Sequence, residues 1–369
     1  MKKRMLILSS CLFAVCLFLT GCMHTTKEGV SNSDKSVKIG VLLPLSGGAS
    51  SYGEEMMMVL KHKNAMLKNP AELHFEDSKC TASDAVSGFQ KLVDLKSVDA
   101  ILGGFCSSET LAIEPLLEQN NLVAISGTSS SPEIEGKSQN MMTLSYSDNV
   151  IAEAMAKHLA GSKNIAIITE QNDYNIALKN SLENLLGDKI IANEVFEKDA
   201  KDMRNIIEKV KQSSPDVLIL NPNIGDTTTT LITQLAESKD YFKNIKLVSQ
   251  ETYVADSSRV GVEDLVEGMV LFAAPTLSDS RVDSFIASLP SSVDNLGVFY
   301  SATAHDALEN LVRAVQDSRL NNTAVLYELR NNPLSGLVVK GKDFAGKNFV
   351  QGIEAGKFVV TKGKAVSQK

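Results

Sequence analysis

From Val37 onward the chain alternates short apolar runs with longer segments that carry a helical stripe, and this alternation limits its fold more than any other feature. VKIGVLLP reads as a buried strand, and Tyr52 to Leu67 places Met56, Met57, Val59, Leu60 and Met66 on one helical face. Leu73 to Asp77 is a strand. Thr81 and Asp84 then have capping-box spacing, opening a helix through Leu95. Val98 to Gly103 is a strand, Glu109 to Gln119 a helix and Leu122 to Ser126 a strand. The pattern restarts at Asn164 to Glu170 (strand) and Tyr174 to Leu186 (helix). KIIANEVF, DVLIL and IKLVS follow as strands, separated by helices over Asp202 to Gln212 and Thr227 to Ser238. No sequence repeat accompanies this repeated architecture. Strands alternating with helices imply βαβ units and parallel sheets covered on both faces. A chain of 369 residues exceeds one usual core. The expectation is therefore an α/β protein with two doubly wound parallel-sheet lobes.

In such sheets ligands bind beyond the carboxyl ends of the strands. Those ends carry SGGASSYG, GFCSSET, SGTSSSPE, TEQNDY and SQETY. Five polar clusters at equivalent places exceed what loop chemistry requires and point to a site.

The N-terminus indicates the compartment. Lys2, Lys3 and Arg4 precede an uncharged apolar run, Met5 to Leu19, that is too short for the ~20 residues of a membrane span and reads as an export signal. It ends in Leu19-Thr20-Gly21-Cys22, which resembles the bacterial lipobox, where cleavage precedes a diacylated cysteine. The alternative is an ordinary signal peptide with an incidental cysteine. Residues 22–36 then form a polar tether. Removing residues 1–21 takes three positive charges and no negative ones from a formal net charge of −7, leaving −10. An acidic chain without a basic stripe argues against a nucleic-acid partner. Cys80 and Cys106 remain as an even pair, a disulfide in an oxidising compartment or else two buried thiols.

Enzyme signals are weak. His24, His62, His74, His158 and His305 form no recognisable metal pair, so no metal or other cofactor is expected. GTSSS at Gly127 lacks the closing glycine of a nucleophile elbow. GKDFAGKN at Gly341 comes close to a phosphate-binding loop, but Asn348 stands where Ser or Thr is required; a turn between C-terminal strands is expected there. Binding chemistry fits better. Ser107 and Ser108 open a helix whose free N–H groups suit a carboxylate. Ser129, Ser130 and Ser131 offer hydroxyls before Pro132. Tyr52 and Tyr174 are expected on loops at strand ends, and Glu251 closes a strand where it can receive an ammonium. Taken alone, each Ser also fits a turn or cap, each Tyr a core-edge place and Glu251 a solvent-facing one.

Together these stretches resemble the type I periplasmic binding proteins, specifically the branched-chain amino-acid (Leu/Ile/Val-binding) receptors of ABC importers. The resemblance rests on VKIGVLLPLSGGASSYGEE, LHFEDSKCTASDAV, DAILGGFCSSETLAIEPLLEQNNLVAISGTSSSPEI, NIAIITEQNDYNIALKNSLENLL and EAGKFVV. It implies that Ser107 and Ser130 hold the α-carboxylate and α-ammonium, and that Thr128 contributes its carbonyl. It further implies that Tyr174 covers the ligand from the second lobe, Glu251 pairs with the ammonium and Tyr52 walls the side-chain pocket, with Tyr300 nearby. Cys80 and Cys106 match the family's disulfide. The sequence departs at NPNIGDTTTT. Leu220 and Asn221 leave the side-chain pocket unassigned, and a polar Asn221 weighs against a strictly aliphatic preference. The expected protein is a monomeric, lipid-anchored receptor with lobes over 37–146 with 276–332 and 147–275 with 333–369, joined by a hinge. It would bind a small molecule and pass it to a membrane permease. A sensory receptor on the same fold, for an amide, aromatic acid or short peptide, is the alternative.

Overall fold

The computed structural model describes residues 36–318 and 321–368. The export signal, Cys22 and nearly all of the tether lie outside these residues. Among the described residues no helix is long and apolar enough to cross a membrane.

The first round of alternation is β1 (Lys38–Leu43), α1 (Ser50–Met66), β2 (Glu72–Asp77), α2 (Ala82–Lys91), β3 (Ala100–Leu102), α3 (Ser107–Gln119), β4 (Ala124–Ser126) and β5 (Met141–Thr143). Thr81 caps α2 as its spacing predicts, accepting the Asp84 N–H at 3.1 Å. These strands form an all-parallel sheet in the order β2-β1-β3-β4-β5. Phe89, Leu92, Ile101, Ile113 and Leu117 are buried on one face of it.

The second round is α4 (Asp148–His158), β6 (Ile165–Glu170), α5 (Asp173–Leu186), β7 (Ile190–Phe196), α6 (Arg204–Ser213), β8 (Val217–Asn221), α7 (Asp226–Ala236), α8 (Lys239–Phe242), β9 (Lys246–Ser249), α9 (Glu263–Val266) and β10 (Val270–Ala273). The order β7-β6-β8-β9-β10 repeats that of the first sheet. The remaining elements are α10 (Ser280–Ser288), α11 (Gly297–Asp317), α12 (Asn322–Asn331), β11 (Gly356–Thr361) and β12 (Lys364–Gln368). β11 adds antiparallel to β10, and β12 antiparallel to β11. Helix α11 returns to the first lobe, packing on α1, β3 and β4. The architecture is thus the expected pair of doubly wound lobes.

One stretch lies elsewhere than expected. Residues 334–350, assigned from the sequence to the second lobe, lie against the first. Thr143 and Phe349 form a parallel bridge, and the Val350 N–H donates to the Thr143 carbonyl at 3.0 Å. The cause is apolar: Leu334, Val339, Phe344 and Phe349 are fully buried. The glycine-rich run GKDFAGKN is therefore no turn between strands. Its Asn348 plugs the edge of the first sheet, the side-chain amide donating to the Ser138 and Met141 carbonyls at 2.9 and 2.8 Å. The chain passes between the sheets three times: after β5, after β10 and before β11.

Candidate functional site

A cavity of about 970 Å³ opens between the carboxyl ends of the two sheets. All five polar clusters singled out in the sequence contribute to its wall: Tyr52; Phe105 to Ser108; Thr128 to Ser130; Asn172 and Tyr174; Glu251 and Thr252. In the first lobe this is the switch point between β1 and β3, where the chain leaves the sheet in opposite directions and leaves a crevice.

The first-lobe wall is built around the start of α3. Cys106 caps this helix and Glu109 returns the bond, accepting the Cys106 N–H at 2.9 Å. Ser107 and Ser108 then occupy the first turn, whose N–H groups have no intrahelical acceptor. The Ser107 hydroxyl accepts N–H bonds from Ser130 (3.3 Å) and Ser131 (3.1 Å), locking the serine loop onto the helix start. Its own proton remains available. Thr128 donates through its hydroxyl to the Phe105 carbonyl at 2.6 Å, tying the loop down from the other side. The Cys80–Cys106 disulfide is formed, with Cα atoms 5.4 Å apart, and fixes the helix cap to the loop after β2. Burial pushes the Glu109 carboxyl up to about 7, against the pull of the Cys106 N–H.

The opposite wall centres on Glu251, in a single turn after β9. Its Oε2 accepts from Tyr146 at 2.7 Å and from Tyr300, whose hydroxyls are themselves 3.1 Å apart. Burial raises the Glu251 carboxyl above the ordinary range, and the two phenols oppose that shift. Tyr174 donates to Gln250 Oε1 at 3.1 Å. Tyr52 is held at about 12, by burial first and then by Glu251 and Glu55, which places its phenol within the field of Glu251. Tyr52 and Tyr174 lie in the first turns of α1 and α5 rather than on loops: the helices open at Ser50 and Asp173, inside the strand-end clusters themselves.

Asn221 does not reach the cavity. Its amide is fully buried, accepting from the Asn175 side chain at 2.7 Å and donating to the Asn175 carbonyl at 2.8 Å. Leu220 lies in the second-lobe core. The expected influence of Asn221 on ligand preference is therefore corrected: the polar residue braces α5, and the cavity wall beside it is Asn223 and Ile224.

Several wall residues were not singled out from the sequence. Leu277, Leu296 and Phe299 join Phe105 in giving the cavity an apolar side. Behind the wall, Tyr146 and Asp148 flank the first passage between the sheets, and their spacing around Ser147 resembles an ordinary helix cap. Asp148 is fully buried, and neither carboxylate oxygen has a hydrogen-bond partner. Burial, followed by Glu251, raises it well above the ordinary range. Among the described residues, His62, His74, His158 and His305 stay outside the cavity.

Comparison with known proteins gives a consistent likeness. The family model described as periplasmic binding protein matches residues 36–363. An amino acid binding protein of Pseudomonas aeruginosa is 23% identical over 329 residues, covering 82% of this chain and 85% of the relative. Among solved structures, a leucine binding protein from Thermotoga maritima superposes with a TM-score of 0.76 at 18% identity, covering 90% of this chain and 98% of that one. A solute binding protein from R. palustris in complex with 4-hydroxybenzoate gives 0.80 at 16% identity, covering 91% and 96%.

Proposed function

The chain belongs to the periplasmic binding protein family, and on that footing we propose that it is a lipid-anchored receptor that captures an amino acid between its lobes and delivers it to an ABC importer. The family is one of solute-binding proteins rather than enzymes. The observation that carries the amino-acid reading is the pairing of opposite chemistries across one cavity. On one side stands a helix N-terminus with Ser107 and Ser108; on the other stands the half-buried carboxylate of Glu251. A zwitterion satisfies both at once.

In this reading Ser107, Thr128 and Ser130 hold the head group from the first lobe, while Tyr174 and Glu251 engage it from the second and Tyr52 walls the side chain. Ligand gains the second set of contacts only when the lobes approach, so it favours the closed state by that difference in contacts. The three passages between the sheets are where the backbone would flex. Export and anchoring are supported by the charged start, the apolar run and the Cys22 context.

Calorimetry of the purified protein with the common amino acids tests the reading. An amino acid should bind, and Glu251→Gln should weaken it by about tenfold or more. If no amino acid binds and Glu251→Gln changes nothing, the reading fails. Mass spectrometry of ligand released on gentle denaturation identifies what the protein carries.

A further inference from the structure

The apolar side of the cavity is held by a residue that stands behind it. Tyr52, Phe105, Leu277, Leu296 and Phe299 make up that side, and the rings of Tyr52 and Phe105 meet edge-on with centroids 6.5 Å apart. Leu296 is only 3% exposed and is the residue at which α11 begins. A helix start needs acceptors for its free N–H groups, and a leucine side chain has none to offer.

Glu55, on α1, meets that need from outside the helix. Its Oε1 accepts the Asn295 side-chain amide at 2.6 Å and the Asn295 backbone N–H at 3.3 Å, and its Oε2 accepts the Leu296 N–H at 2.7 Å. Bonds to a carboxylate are the strong, directional kind, and a negative charge ahead of a helix also favours the helix dipole. With both oxygens committed to the backbone and side chain of this segment, Glu55 acts on the cavity through Leu296 and not by touching what the cavity holds.

The clamp is firm because α1 is itself fixed. A Cβ on Gly53 would lie 2.1 Å from the Pro44 carbonyl oxygen, so at this point the helix rests directly on the backbone beyond β1. Tyr52 and Glu55 bracket that contact at positions that share one helical face. From one anchored turn, then, α1 sends Tyr52 into the cavity wall and Glu55 to the segment carrying Leu296 and Phe299. Further along the same two helices Lys63 donates to Glu309 at 2.5 Å, a second tie between α1 and α11. Tyr300, one turn beyond Leu296, has anchors of its own in Tyr146 and Glu251. Release of Glu55 therefore bears chiefly on Leu296.

We propose that Glu55 is a positioning residue for ligand selection: by clamping Asn295 and Leu296 it sets the distance between Tyr52 and the Leu296 wall, and so the size of apolar side chain the cavity grips. This rests on the amino-acid reading above and deepens it. In an apolar pocket one methylene of misfit is worth about 10–200-fold in discrimination, so even a small shift of Leu296 is readable as a change in ranking.

The test is calorimetry on the full chain with L-alanine, L-valine, L-leucine and L-phenylalanine, for the unaltered protein, Glu55→Ala and Asn295→Ala. The expected result for Glu55→Ala is that the preference for the larger over the smaller side chains falls by about fivefold or more, with the weakest-gripped small ligand changed by no more than about twofold. Asn295→Ala removes one of the three donors and no charge; it should move the ranking the same way to a lesser degree, and it decides the matter should Glu55→Ala fail to fold. An equal loss for every ligand accompanied by a lower unfolding temperature, or affinities that do not change, would overturn this inference and leave the amino-acid reading standing. Failure of all four to bind the unaltered chain would also overturn it, whereas the amino-acid reading falls only if no common amino acid binds.

Discussion

The Tyr146 hydroxyl donates a 2.7 Å hydrogen bond to Oε2 of Glu251, tying the first passage between the sheets to the acid at the heart of the cavity. Tyr146 lies between β5 and α4, where the chain leaves one lobe for the other. A movement of the lobes therefore acts on the environment of Glu251, and a charge arriving at Glu251 acts on the passage.

The first prediction follows from this bond. Burial raises Glu251, and Tyr146 and Tyr300 hold it down. A cation binds the ionised form, so affinity should rise with pH as Glu251 loses its proton. Tyr146→Phe removes one stabilising donor, which moves that rise to higher pH and weakens binding by roughly fivefold to tenfold near neutrality. Calorimetry across a pH series reads both effects; an unchanged profile would separate Tyr146 from the site.

Glu109 makes a prediction about stability. Its carboxyl is raised from 4.5 to about 7 in the fold. Between those pH values the native state keeps a proton that the unfolded chain releases, so the contribution is full below 4.5 and lost as pH climbs through 7. The swing is about 3 kcal/mol as an upper bound. Urea unfolding at pH 5 and pH 8 should show the loss, and Glu109→Gln should flatten it.

Asn221→Leu should cost stability and leave ligand preference alone. The change removes two buried hydrogen bonds and leaves the Asn175 side-chain amide with the Pro222 carbonyl alone, for about 2–3 kcal/mol. Thermal unfolding should show the loss, while the ranking of ligands in a binding panel stays as it was. A changed ranking would return Asn221 to the site.

Cutting the Cys80–Cys106 link by Cys80→Ala leaves the Cys106 cap in place and opens a loop with a sequence separation of 26. Chain entropy alone puts the cost at about 3 kcal/mol. Because Ser107 follows the cap, ligand affinity should fall as well. Unfolding curves and titrations with and without reductant check both.

Much of this was legible in the sequence because strand and helix periods are local. The strands β1, β2, β6, β8 and β9 read directly from their apolar runs, and the strand-end clusters mark the cavity because connectivity alone puts strand ends together. What escaped was non-local. Tyr146 and Tyr300 meet at Glu251 from distant parts of the chain, and no spacing encodes that meeting. Asn221 misled because a strand-end polar residue near a site has the same sequence whether it faces the cavity or, as here, the neighbouring helix. Residues 334–350 misled because their apolar residues follow no period.

The return of the late chain to the first lobe has a consequence for how the protein is made. A nascent chain that has reached residue 296 already carries every strand of the first sheet, yet α11 and the stretch ending at Phe349 that cover that sheet do not yet exist. The lobe begun first is finished late, and β11 and β12 complete the other one later still. Neither lobe can be cut out as a continuous piece, and the contacts that close them span large sequence separations, a topology that folds slowly. Neither lobe reaches its final form until segments far along the chain, past Phe349 for the first and through β12 for the second, have been made.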